Sequence, residues 1–95
     1  MIATAVRIYH VLVGDVVLSA AVEDAGDPFV GEVVCLGLRL PEGVWVTVEA
    51  IEADVVYCRC HAAGIFAEET AIKDLVGYGY LKTFSQKSGK WAKAN

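Results

Sequence analysis

An alternation running through the middle of the chain constrains its fold more than any other feature. Val34, Leu36, Leu38 and Leu40 occupy even positions before Pro41-Glu42-Gly43. Val44, Val46, Val48 and Ala50 do so after it, and Val56, Cys58 and Cys60 continue the series beyond Glu52-Ala53-Asp54. Side chains of an extended strand point alternately to opposite faces, so a period of two sends each even set to one face of a sheet. A three-residue loop pairs positions whose numbers sum to an even value, and so joins like faces. With residues 41–43 as the loop, Leu40 meets Val44, Leu38 meets Val46 and Leu36 meets Val48. With residues 52–54 as the loop, Val48 meets Cys58 and Val46 meets Cys60. A one-residue slip would throw one apolar set onto the opposite face. Residues 33–61 are therefore predicted to form an antiparallel meander.

The flanking segments extend a β-rich reading. Fifteen valines and only two prolines favour strands. Residues 4–13 and 16–23 read as a hairpin around Gly14-Asp15, a type II′ candidate with glycine supplying the positive φ. The acidic turn Glu23-Asp24-Ala25-Gly26-Asp27-Pro28 lacks the ligand spacing of a calcium loop and reads as solvated. After Gly64 the period changes. Ala71, Ile72, Leu75 and Val76 have helical spacing, acids stand at Glu68-Glu69, and Gly77 stops the run, which predicts a helix over 68–76. Residues 80–84 return as a last strand. The fold class is mainly β with one short helix: an antiparallel barrel or strongly curved sheet of five or six strands. Residues 1–84 form one domain and residues 85–95 a basic tail.

Composition bears on the state of assembly. A 95-residue domain buries about 64% of the surface of its extended chain, yet 56% of the residues are apolar and 21% charged. The hairpin is apolar on both sides. Tyr9, Val11, Val13, Val16, Leu18 and Ala20 share one face, and Ile8, Leu12, Val17 and Ala21 the other. One face belongs to the core and the other calls for a cover, so the chain is expected to pair with itself, most simply as a dimer, through this hairpin or the face carrying Trp45.

Charge divides along the chain. Residues 1–80 carry −8, and residues 81–95, with Lys82, Lys87, Lys90 and Lys93, carry +4. An acidic body repels phosphate and disfavours nucleic acid as a partner, leaving the tail as the one segment suited to nucleic acid or an acidic partner. The longest run free of charged residues is Cys60–Ala67, far below the ~20 residues of a membrane-crossing helix. Three cysteines, an odd number, and no secretory pattern imply reduced thiols and a cytoplasmic location.

The odd face of the meander carries the candidate site. Inferred neighbours are Arg39–Trp45, Trp45–His61, Thr47–Arg59 and Glu49–Tyr57. Trp, Tyr and Arg are enriched where proteins bind partners, and Arg beside Trp suits cation–π contact. Arg39, Trp45, Tyr57, Arg59 and His61 are the candidate contact residues. Cys58-Arg59-Cys60-His61 resembles a zinc motif only in composition. On a strand the two thiols face one way and the imidazole the other, and the cysteines read as core. Cys35, opposite Glu49, gains nothing that would activate a thiol. His10 reads as a structural histidine beside Ser19, and Asp15 and Asp54 as turn residues. The glycines of Gly77-Tyr78-Gly79-Tyr80 follow the helix, at the end of its dipole that repels anions. No catalytic set, metal or cofactor is implied.

Residues 42–75, EGVWVTVEAIEADVVYCRCHAAGIFAEETAIKDL, resemble a small SH3-like barrel. They have a Gly-Val strand opener, a tight hairpin, a short Gly-Ile-Phe strand, and a helical turn before Asp-Leu. That resemblance implies binding of peptides, nucleic acid or other subunits and seldom catalysis. The expected function is a non-enzymatic binding or assembly module acting as a homo-oligomer. The alternatives are a small-ligand or enzymatic site at a subunit interface, and a nucleic-acid or acidic-partner binder working through the tail.

Overall fold

A computed structural model of the chain describes residues 6–23, 26–37 and 43–83. Its elements are β1 (Val6–Val13), β2 (Val16–Glu23), β3 (Val33–Leu36), β4 (Val44–Glu52), β5 (Val55–Cys60), α1 (Ile65–Gly77) and β6 (Leu81–Thr83). The six strands form one mixed sheet in the order β3-β4-β5-β1-β2-β6. The sheet is open, with β3 and β6 as edges, so the curved-sheet form of the expectation holds and the closed barrel does not. One pair also departs from an all-antiparallel plan: β1 and β5 run parallel, His10 opposite Tyr57 and Leu12 opposite Arg59.

The first hairpin follows its sequence signals. Val13 pairs with Val16 across Gly14-Asp15, where Gly14 has φ 60 and Asp15 does not, the pattern of a type II′ turn. His10 stands opposite Ser19, and its Nδ1 lies 2.5 Å from Ser19 Oγ. Tyr9, Val11, Val13 and Leu18 enter the core, joined by Leu36, Val44, Val46, Val48, Val56 and Cys58 from the other strands. α1 covers this side through Ala71 and Leu75, and Tyr80 packs beside them. The opposite side of the hairpin is not bare within one chain. Leu12 and Val17 are 2% and 8% accessible, Ile8 is half-buried, and Ala21 is exposed.

The meander keeps its faces except at Ala50 and Ile51, and changes its registers. Val34 pairs with Val46 and Leu36 with Val44, four residues away from the expected Leu36–Val48 pairing. Gly37 is the cause: its φ of 119 cannot continue a strand, so β3 stops at Leu36. Leu38, Leu40 and Pro41-Glu42 lie outside the described residues. Because four is even, Val34 and Leu36 stay on the core side, and Cys35 stands opposite Trp45 instead of Glu49. Gly43 lies so close to β3 that a Cβ there would sit 2.4 Å from Leu36 O.

Between β4 and β5, Val46–Cys60, Thr47–Arg59 and Val48–Cys58 pair as expected. A bulge at Glu49 then shifts the register, so Ala50 faces Tyr57 and Ile51 faces Val56. The turn holds two residues, Ala53 and Asp54, instead of three, and Ala53 takes a left-handed φ of 54. The bulge puts Ile51 on the core side, where it packs against the buried cluster in place of the Ala50 that alternation predicts.

α1 begins three residues earlier than its spacing predicts. Gly64 occupies the N-cap position without a side-chain bond, Glu68 stands in the first turn, and Glu68 N–H donates to Gly64 O at 2.9 Å. Ile65 and Phe66 therefore form helix where the SH3-like resemblance placed a strand. At the other end, Tyr80 N–H returns to Leu75 O at 2.9 Å, which turns the chain into β6. No helix among the described residues is long and apolar enough to cross a membrane.

Candidate functional site

Register alone places the candidate residues. Trp45, Thr47, Arg59 and His61 gather on the side of the sheet away from α1, because Thr47 pairs with Arg59 and His61 N–H donates to Trp45 O at 3.0 Å. His61 lies with Nε2 2.5 Å from Thr47 Oγ1, which fixes the ring against its neighbouring strand. Arg59 does not reach for an aromatic ring. Its Nε donates to Glu49 Oε2 at 2.5 Å, and the bulge is what leaves Glu49 within that reach. So exposed a pair is worth at most about 1 kcal/mol, and it orients the guanidinium more than it stabilises the fold. Tyr57 stands further along β5, its ring centroid 5.4 Å from that of His10. The expected Glu49–Tyr57 pairing is replaced by Ala50–Tyr57. Arg39, and with it the Arg39–Trp45 contact, lies outside the described residues.

Trp45 is 43% exposed although β4 is an interior strand of the sheet. Its side chain lies on the side away from α1, and the residue also contributes to the lining of a groove where β4 and β5 meet α1. The groove has a volume of about 420 Å³, with Val44, Cys60, Ala62, Ala67 and Ala71 as apolar walls and His61, Thr70 and Asp74 as polar groups. Phe66, 87% exposed, directly precedes the groove residue Ala67, and its carbonyl accepts from Thr70 Oγ1 at 3.1 Å. Ile65 beside it is 77% exposed. Sequence reasoning missed this half of the site. Ile65 and Phe66 read as a strand, and helical period was sought only from Glu68 onward. An unbroken apolar pair beside a glycine that can end one element and start another was the signal available.

Burial favours the uncharged forms of Cys58, Cys60 and His10. Burial, reinforced by the Glu49 charge, pushes the Cys58 thiol up to about 12. Burial also raises Cys60, against the opposing pull of the Ala62 and His61 backbone N–H groups, with Glu68 adding to the rise. Cys60 Sγ accepts from Ala62 N–H at 3.4 Å. Burial lowers the pKa of His10 and so favours its neutral form. Cys58 lies in the core while His61 is exposed, so thiol and imidazole diverge as strand geometry requires. Among the described residues no three His, Cys, Asp or Glu side chains converge as metal ligands. What the arrangement offers is apolar area, one large aromatic and a few fixed hydrogen-bonding groups.

No family model, curated protein or solved structure matches this chain.

Proposed function

We propose that the protein is a non-enzymatic binding and assembly module that works as a homo-oligomer, with Trp45 at the centre of its contact patch. One observation carries this reading: a tryptophan 43% exposed on an interior strand, next to a largely apolar groove that it helps to line. Large aromatics around a shallow apolar depression are the usual energetic centre of a protein contact. His61, held by Thr47, and Arg59, held by Glu49, give the patch oriented polar groups beside Trp45. Tyr57 extends it along β5. With Leu12 and Val17 buried within one chain, the hairpin offers little apolar area for pairing, which leaves the Trp45 side as the surface of choice.

Sedimentation equilibrium of the full chain across a micromolar concentration series tests the proposal. The expected result is a mass that rises above one chain with concentration. A single-chain mass throughout would remove self-assembly from the proposal. The groove's volume also suits a small apolar ligand, since such sites run from about 300 to 1,000 Å³. Under that second reading, small apolar compounds would raise the melting temperature without changing the mass.

A further inference from the structure

We infer that the cleft between α1 and β6 binds a free fatty acid in its carboxylate form, with the hydrocarbon chain on Ile72 and Val76 and the carboxylate held by Lys73 and Lys82. The cleft has a volume of about 420 Å³, and Glu69, Ile72, Lys73, Val76 and Lys82 line it. Its helix wall follows from spacing. Positions 69, 72, 73 and 76 recur at intervals of three and four, so they share one face of α1. The sheet wall follows from register. Lys82 pairs with Leu18, and residues directly opposite across two strands project to the same side. Leu18 lies in the core that α1 covers. Lys82 therefore rises on the helix side of the sheet and brings a second ammonium group to the cleft that Lys73 flanks.

The walls set the chemistry of the occupant. Ile72 is half-buried against the core and Val76 is 49% exposed, so an apolar strip lines the cleft. Among the described residues neither Lys73 nor Lys82 has an ion-pair or hydrogen-bond partner. An ammonium group carries three donors and no acceptor, so each lysine is matched by an anion. Two lysines against one glutamate leave the cleft at +1, in a chain whose net charge is −4. A cation would be repelled by both lysines. A neutral hydrocarbon would crowd water from them and pair with neither. An inorganic anion would pair with them and leave Ile72 and Val76 wet. An amphiphile with a single negative head meets both walls at once. Lysine stems are themselves apolar and lie along a hydrocarbon chain while the ammonium reaches the head.

This cleft is distinct from the groove beside Trp45. That groove takes Ala67, Thr70, Ala71 and Asp74 from α1, and no residue lines both. The inference therefore stands or falls apart from self-association.

The test titrates the full chain, carrying methyl-labelled isoleucine and valine, with decanoate below the concentration at which it forms micelles. Saturable shifts of the Ile72 and Val76 methyl signals are expected. Decanol, with the same chain and no charge, should bind about tenfold more weakly, and acetate should leave both residues unmoved. Lys73 and Lys82 are exposed, so glutamine at either position leaves the fold intact. Lys73→Gln and Lys82→Gln should each weaken decanoate binding about threefold. The absence of shifts would overturn the inference, as would shifts at Val44, in the groove beside Trp45, without shifts at Ile72 and Val76. Equal affinity for decanol, or binding unchanged in both lysine variants, would do the same. Shifts produced by phosphatidylglycerol vesicles and not by monomeric decanoate would assign the lysines to a membrane surface and overturn it as well.

Discussion

Replacing Trp45 with alanine separates what this residue does for the contact from what it does for the fold. A tryptophan side chain presents about 250 Å², so the exposed 43% is roughly 110 Å². At about 25 cal/mol per Å², covering that area in a partner contact is worth up to about 2.7 kcal/mol. That corresponds to roughly a hundredfold in dissociation constant. The remaining ~140 Å² already packs within the chain, and by the same coefficient its loss costs the monomer up to about 3.5 kcal/mol. Trp45→Ala should therefore weaken self-association about a hundredfold and also lower the unfolding midpoint. Sedimentation at 10 °C, with circular dichroism confirming a folded chain, reads the first; urea unfolding reads the second. Phe66→Ser supplies the control, because a side chain 87% exposed contributes little to the fold while directly preceding Ala67 of the groove wall. It should weaken association at least tenfold with an unchanged unfolding midpoint. A dissociation constant within threefold of the parent for both variants, with both folded, would refute the groove as the contact.

Three further outcomes follow from the structure. Ala53 holds φ 54, a left-handed conformation costing a non-glycine residue about 1–2 kcal/mol. Ala53→Gly relieves this against about 0.5–1 kcal/mol of added chain entropy, so the urea midpoint should rise by the equivalent of about 0.5–1 kcal/mol. The pKa of His10 is lowered in the folded chain by burial, so the unfolded chain takes up the proton first. Its contribution to stability is complete above about pH 6.5 and declines as pH falls below that value; His10→Gln should flatten the decline in melting temperature between pH 7 and 5. With its thiol pushed up to about 12 and no accessible surface, Cys58 should alkylate at pH 8 only as fast as the domain opens, and rapidly in denaturant. Peptide mass mapping at timed intervals reads this, and native-state labelling at the rate of a free thiol would contradict the burial.

Which face a meander residue takes was legible up to Val48, because alternation survives errors that exact register does not; past the bulge Ala50 and Ile51 exchange the faces expected of them. The pairing of β3 with β4 differs from the expected one by four residues, yet Val34 and Leu36 remain on the core side because an even slip preserves parity. The neighbours changed on both faces: Leu36 exchanged Val48 for Val44, and Cys35 exchanged Glu49 for Trp45. The β4–β5 turn shows two errors that cancel. A two-residue turn in place of three would send one strand to the wrong face, and the bulge at Glu49 restores the match for Val48 and Cys58. Neither device has a strong local signal, since Ala53 is not a residue that announces a left-handed turn. The parallel β1–β5 pair was invisible for a different reason: it joins segments far apart in sequence, where no turn residue constrains the partner.

The apolar surplus in the composition was assigned to two surfaces, the hairpin and the face carrying Trp45, and on the hairpin Leu12 and Val17 are buried. Counting both sides of the hairpin as rival faces assumed that only α1 and the sheet itself provide cover, but Leu12 and Val17 are buried opposite α1. The exposed apolar area lies instead where period-two reasoning has no purchase. Phe29 and Val30 sit in the irregular approach to β3, Ile65 and Phe66 in the first turn of α1, and Leu81 at the start of a three-residue edge strand. Alternation predicts which residues of a strand share a side, but it is silent on element ends, where the chain changes direction and large side chains are left facing water. Trp45 differs from these in being flanked by oriented polar groups and an adjoining groove. A contact surface needs that combination of apolar area, fixed hydrogen-bonding partners and a depression to receive a side chain. An exposed phenylalanine by itself has only the first.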